Sequence, residues 1–247
     1  MGYAPFLHFA VDLRRSGMFK KIIARLEKQD FFRVVVFGAS NTERYMPTVH
    51  WSDVFEVGLR SRFGRKFQVI NAGVSGNNTR EALARMERDV LFYKPDLVIV
   101  TFGGNDCNVI PSKFVTEEQF SGNLTTIVNK LREQGAEVVL QTYYKGIYEF
   151  MQPQRAAFFI RYMNVVRQVA GETGCALSDQ YALFDRIDRN YRTFNLMRDP
   201  LHTNENGNML IGLNLCRYFG VDFDKISWRD KLLPMQDLLL KTLEKGI

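Results

Sequence analysis

Four short apolar runs set the fold of this chain. "FRVVVFGA" (32–39), "FQVINAGV" (67–74), "DLVIVTFGG" (96–104) and "AEVVLQTYY" (136–144) are rich in valine and isoleucine and show little polar alternation. A strand of that kind is buried on both faces, which predicts a parallel sheet covered by helices above and below. "CALSDQYALF" (175–184) reads as a weaker fifth strand. Long helical patterns lie between the runs, at 77–93, 116–135, 154–174 and 205–220. The second of these opens on acidic residues and closes at Gly135, the usual helix punctuation. Strand and helix in alternation predict an α/β chain with right-handed crossovers: a three-layer α/β/α, doubly wound fold on a five-stranded parallel sheet. Ligands of such sheets bind at the carboxyl ends of the strands. Two further amphipathic helices are expected at 16–30 and 234–246; packing on the core is their ordinary use, with a dimer contact or a membrane surface as the alternatives. No repeat or linker divides the chain, so residues 1–247 are expected to form one domain with its core at about 32–220.

Composition narrows the function. With 46% hydrophobic and 24% charged residues, this is a globular composition. The net charge of +6 is spread without a basic stripe, so nucleic acid is not an expected partner. Cys107, Cys175 and Cys216 are distant from one another and form no C-x-x-C pair. Neither a disulfide framework nor a zinc site is expected, and small buried core residues is the natural reading. His8, His50 and His202 are the only histidines, and no metal cluster is visible. His8 and Asp12 interrupt the apolar start, which also lacks the basic region of a secretory signal. No apolar run has the length of a membrane span, so a cytoplasmic location without stable membrane insertion is expected. The oligomeric state is not written in the sequence; a homo-oligomer is compatible with it.

The strand ends carry the polar residues. Ser40 follows the first strand in "FGASNTER". It is either a helix N-cap, satisfying an orphan N–H, or an exposed hydroxyl at the sheet edge. The pattern G-x-S-x-G is absent around it. Gly73 follows the second strand, as a turn glycine or as a backbone N–H offered to an anion. Asn105 follows the third in "FGGNDCN", as an Asx-turn or as an amide aimed at a developing negative charge. Nucleotide-binding glycine patterns are missing. Beyond the fifth strand comes "RDPLHTNENG" (198–207), where His202 stands three residues after Asp199. His50, at the start of the first crossover helix, reads as a surface or packing residue, and Asp106 as a loop cap. Nothing in the sequence pairs Cys107 with a base.

Ser40, Gly73, Asn105 and His202 occur in order at one sheet edge, in "VVVFGASNTE", "NAGVSGNNT", "GGND" and "DPLHTNENG". In these four blocks the chain resembles the SGNH hydrolases, the GDSL esterase/lipase family, over about residues 32–220. The resemblance implies the flavodoxin-like fold of that family and a serine esterase working through an acyl-enzyme, with no cofactor and no metal. It implies Ser40 as nucleophile, His202 as the base that activates it and Asp199 as the carboxylate that orients the imidazole. It further implies an oxyanion hole from the N–H groups of Ser40 and Gly73 and the amide of Asn105, where losing one donor costs about 10²–10³ in turnover. One block departs from the pattern: the family reads Gly-Asp-Ser where this chain reads Gly38-Ala39-Ser40, and Asn41 replaces an apolar residue after the serine.

The substrate is expected to be a small-molecule ester. After the fourth strand, "TYYKGIYEFMQPQRAAFF" (142–159) offers Tyr143, Tyr144, Tyr148, Phe150 and Met151 as an aromatic wall of the site, and Asn41 is a further expected substrate contact. Such a wall accepts a sugar ring or an acyl chain. The first expectation is an esterase releasing a short, acetyl-type acyl group from a carbohydrate or other small alcohol. The second is a lysophospholipase or thioesterase with a longer acyl pocket. The third is a non-catalytic binding protein of the same fold.

Overall fold

The computed structural model describes residues 13–44, 48–191 and 196–244. The opening stretch with His8 and Asp12 lies outside the described residues. The chain runs α1 (Leu13–Glu27), β1 (Phe32–Gly38), α2 (Trp51–Phe63), β2 (Phe67–Gly73), α3 (Thr79–Asp89), β3 (Leu97–Thr101), α4 (Glu117–Glu133), β4 (Glu137–Gln141), α5 (Pro153–Thr173), β5 (Ala176–Ser178), α6 (Gln180–Tyr191), α7 (Glu205–Tyr218) and α8 (Arg229–Glu244). The five strands pair in parallel in the order β2-β1-β3-β4-β5.

That order follows from the pattern of burial. Along β1, Val34 and Val36 join one apolar cluster with Trp51, Phe55 and Leu213, while Val35 and Phe37 join a second with Met86, Phe120 and Val166. The sheet is therefore buried on both faces, with α2 and α7 on one side and α3, α4 and α5 on the other, as continuous apolar strands require. From β1 the chain turns one way to β2 and then the other way to β3. The crevice at the carboxyl ends of β1 and β3 is the topological switch point, where ligands of such sheets bind.

Local chemistry sets the helix ends. Asn78 and Thr116 each close a capping box, with Glu81 and Gln119 returning a hydrogen bond to the cap N–H. Gly174 ends α5 in the left-handed region at φ 64°. The expected fifth strand is mostly helix. Only Ala176–Ser178 pairs with β4. Asp179 then accepts the Ala182 N–H at 3.1 Å, and α6 begins, burying Leu183, Phe184 and Ile187 at helical spacing. In the apolar residues of this stretch helical and strand periods coincide over a few positions, and the polar Ser178-Asp179-Gln180 step decides for the helix. The terminal helices α1 and α8 pack on the core through Phe19, Ile22 and Leu26, and through Leu232 and Leu239. Among the described residues no helix is long and apolar enough to cross a membrane.

Candidate active site

Ser40 lies in a tight turn after β1. The Ala39 carbonyl accepts the N–H groups of Thr42 and Glu43 at 2.9 and 2.8 Å. No helix starts here. Helix α2 begins eleven residues later and is capped by His50, so Ser40 caps nothing. Its Oγ stands 3.0 Å from His202 Nε2 instead. The turn holds without an aspartate at position 39: Ala39 is buried among apolar side chains. The Asn41 carbonyl receives Trp51 Nε1 at 2.6 Å and His50 Nε2 at 3.2 Å, and the Thr42 carbonyl receives Asn71 Nδ2 at 2.6 Å. Anchors from the start of α2 and from β2 thus hold the turn.

His202 sits in the loop between α6 and α7. Its Nδ1 is 2.9 Å from both carboxylate oxygens of Asp199. An anionic carboxylate only accepts, so Nδ1 carries the proton and the Nε2 lone pair faces Ser40. Asp199 Oδ1 also accepts the N–H groups of Leu201 and His202, each at 2.9 Å. Burial by itself would raise this carboxyl, but those two N–H groups and the imidazole outweigh it and hold Asp199 below the usual carboxylate range. The loop is closed by a bridge between Met197 and Thr203 and by the Arg198 N–H on the His202 carbonyl at 2.8 Å.

The Gly73 N–H is not open to a ligand, because it donates to Asn71 Oδ1 at 2.9 Å. Gly73 is needed for room: a Cβ there would overlap the backbone of Thr42 and Glu43 in the Ser40 turn. Three residues on, Gly76 has φ 76° and empty space around it, next to Ser75, which lines the Ser40 cleft. Asn105 makes no local Asx-turn. Its Nδ2 crosses to the Asn77 carbonyl at 3.0 Å, in the loop that holds Gly76. Asp106 does not cap the loop that follows it. It is fully buried and accepts Thr79 N–H, Thr79 Oγ1 and Gly103 N–H at 2.8, 2.5 and 3.1 Å, tying the loop after β3 to the start of α3. Burial raises its carboxyl against those hydrogen bonds.

Of the expected substrate contacts, Asn41 lines the cleft with Ser40 and the tyrosines do not. Tyr143 and Tyr144 are buried, at 4% and 2% exposure. The Tyr144 hydroxyl is a brace: it lies 2.8 Å from Asn41 Oδ1 and from the Leu201 carbonyl, and accepts the Thr203 N–H at 3.1 Å. It thereby links the residue after Ser40 to both neighbours of His202. Tyr148 turns to Tyr181, hydroxyl to hydroxyl at 2.8 Å. The sequence misled here because an aromatic run at a strand end serves core and cleft equally well. Phe150 and Met151 line a separate cleft that also reaches Asp199.

His50 is neither on the surface nor a passive packer. It caps α2, and burial lowers its pKa to about 4. All three cysteines are free and buried, and burial pushes the Cys107 thiol up to about 12, so it carries no thiolate at neutral pH. Among the described residues no group of histidine, cysteine and acidic side chains could hold a metal.

The cleft at Ser40 measures about 480 Å³ and is lined by Glu43, His50, Ser75, Arg198, Asn204, Glu205 and Asn208. The neighbouring cleft, about 310 Å³, is lined by Ile110, Phe150, Met151, Arg155 and Leu201. A hydroxyl, an imidazole and a carboxylate in hydrogen-bonded series at the carboxyl edge of a doubly wound sheet define, with that fold, an ester hydrolase of the three-layer type. Its relatives agree. An acetylxylan esterase of Geobacillus stearothermophilus is 28% identical over 164 residues, 63% of this chain and 74% of that protein. The isoamyl acetate-hydrolyzing esterase 1 homolog of Mus musculus is 28% identical over 222 residues, 82% of this chain and 86% of that protein. A crystal structure of the Geobacillus acetylxylan esterase superposes with a TM-score of 0.68, at 24% identity, over 79% of this chain and 97% of that one, which shows the fold. The GDSL-like lipase/acylhydrolase family model matches residues 36–210, and the chain belongs to that family.

Proposed function

We propose that the enzyme removes short, acetyl-type acyl groups from a hydroxyl-rich small alcohol, with Ser40 as nucleophile. His202 Nε2 takes the Ser40 proton as Oγ attacks the ester carbonyl. Asp199 stabilises the imidazolium formed. The C–O bond to the alcohol then breaks, and His202 returns the proton to the departing oxygen. Water, deprotonated by the same imidazole, cleaves the acyl-enzyme and restores Ser40. The oxyanion donors in this reading are the N–H of Ser40, the amide of Asn105 and the N–H of Gly76. Gly76 replaces Gly73 because the Gly73 N–H is spent on Asn71, while Gly76 lies between the cleft-lining Ser75 and the Asn77 that holds Asn105.

The observation that carries the substrate is where Ser40 opens. Its cleft is lined by amides, carboxylates, hydroxyls and an arginine beside Val49, groups that can pair with the hydroxyls of a carbohydrate-like alcohol. The acetyl-ester specificity in the names of the two relatives supports the same choice. A second reading, a longer acyl group as in lysophospholipids or acyl thioesters, is favoured by Ile110, Phe150, Met151 and Leu201 in the neighbouring cleft, which they share with Asn108, Gln152, Arg155 and Asp199. Free buried cysteines also support a cytoplasmic site of action.

The test is hydrolysis of 4-nitrophenyl acetate, butyrate and octanoate, and of acetylated xylose, by the native enzyme and Ser40→Ala. Serine-dependent turnover favouring acetate is the expected result. A preference for octanoate selects the second reading, and turnover that survives in Ser40→Ala removes Ser40 as nucleophile.

A further inference from the structure

Arg85, on the sheet-facing side of α3, is a cation at 8% exposure whose hydrogen bonds go mostly to neutral oxygens. Nη2 donates to the Gly38 carbonyl at 2.8 Å, Nη1 to the Ala72 carbonyl at 2.8 Å, and Nε to Asn77 Oδ1 at 2.7 Å. The guanidinium lies over the Phe37 ring, 4.7 Å from its centroid. Only Nη1 also meets an anion, Asp89 at 3.1 Å. Withdrawing a charge from water is costly, and packing α3 on the sheet needs only an apolar side chain. The acceptors explain the arginine. Gly38 is two residues before Ser40. Ala72, next to last in β2, and Asn77 stand on either side of the turn that carries Gly76. The Asn77 carbonyl in turn receives the Asn105 amide at 3.0 Å. A rigid fork of donors spans these points, and a flexible ammonium cannot.

We infer that Arg85 is a positioning residue for the oxyanion hole, holding the Ser40 turn, the Gly76 loop and, through Asn77, the Asn105 amide in one fixed arrangement. It touches no substrate. It sets where three donors from three different loops converge, and donors of this kind act only if fixed before the charge develops. The inference rests on the reading of Ser40 as nucleophile.

The test compares 4-nitrophenyl acetate with its thionoester analogue. Sulfur accepts hydrogen bonds weakly, so the ratio of the two kcat/KM values reports the donors of the hole rather than the base or the fold. Arg85→Lys keeps the charge and loses the fork. We expect kcat on the oxoester to fall about 10²-fold with KM within about threefold, and the oxo-to-thiono ratio to fall at least about tenfold. An equal loss on both substrates makes Arg85 a fold residue and overturns the inference, as does unchanged turnover. Should Arg85→Lys melt below the assay temperature, Asn77→Ala serves in its place, since it removes one link of the fork at a half-buried loop residue; the same ratio must fall, and an unchanged ratio overturns the inference. Ser40→Ala in parallel separates the failures: full activity there removes the nucleophile reading and this inference with it, whereas lost activity there with an unchanged ratio in Arg85→Lys removes only the role of Arg85.

Discussion

The cap of α2 makes the enzyme acid-sensitive through one side chain. His50 uses both ring nitrogens: Nε2 donates to the Asn41 carbonyl at 3.2 Å, and Nδ1 accepts the Ser52 N–H at 3.3 Å, with Ser52 Oγ at 2.8 Å. A second ring proton would sit on Nδ1, facing the N–H that Nδ1 now accepts. Burial opposes that proton most strongly, Arg44 adds to the opposition, and Asn41 and Asp53 favour the charge without overcoming burial. The folded pKa is about 4, against 6.5 when exposed. Because the folded value is the lower, the stability tied to neutral His50 is complete above about pH 6.5 and is lost as the pH falls toward 4. The whole difference is about 3 kcal/mol, of which about 2 is lost by pH 5. For a chain of this size the whole difference is a fall of about 6–12 °C in Tm. His50→Asn keeps a capping side chain and removes the titrating ring. Urea unfolding of both proteins between pH 7.5 and 4 is the assay. The native curve should drop relative to the variant by about 3 kcal/mol over that range, other groups cancelling in the difference. Two parallel curves would refute the reasoning.

Three further outcomes are expected. Asp199→Asn removes the charge that stabilises the imidazolium and releases the Nδ1–H tautomer, so kcat should fall about 10⁴-fold with little change in KM, measured on 4-nitrophenyl acetate. Tyr144→Phe leaves the Thr203 N–H and the Leu201 carbonyl short of a partner; it should cost about 1–3 kcal/mol by urea unfolding and slow kcat about tenfold as Ser40 and His202 lose their brace. Gly73→Ala should destabilise the protein by more than about 3 kcal/mol because its Cβ meets backbone, whereas Gly76→Ala, with open space and only the positive φ to oppose it, should cost about 1–2 kcal/mol in the same assay.

The layers, the parallel sheet and the edge that carries the polar residues were legible in the sequence, because apolar runs and helix caps are local properties. Val34 to Phe37 are buried on both faces wherever they sit in a sheet, and Asn78-x-x-Glu81 closes a capping box from its own four residues. Asp199 and His202, three residues apart, were readable as a pair for the same reason. What the sequence could not specify is which long-range partner each polar group finds. His50 is a cap because Asn41 and Ser52 surround it, Tyr144 is a brace because the His202 loop descends onto it, and Gly73 is a spacer because the Ser40 turn packs against it. Arg85 lies in an ordinary helical pattern, and only folding brings the ends of β1 and β2 and the loop before α3 within reach of its guanidinium. Most of the secondary structure follows from neighbours along the chain, so the sequence determined it, the stretch after Ser178 excepted. The placement of hydrogen-bond donors around Ser40 depends on contacts between residues 28 to 162 positions apart, and only the tertiary structure decided it.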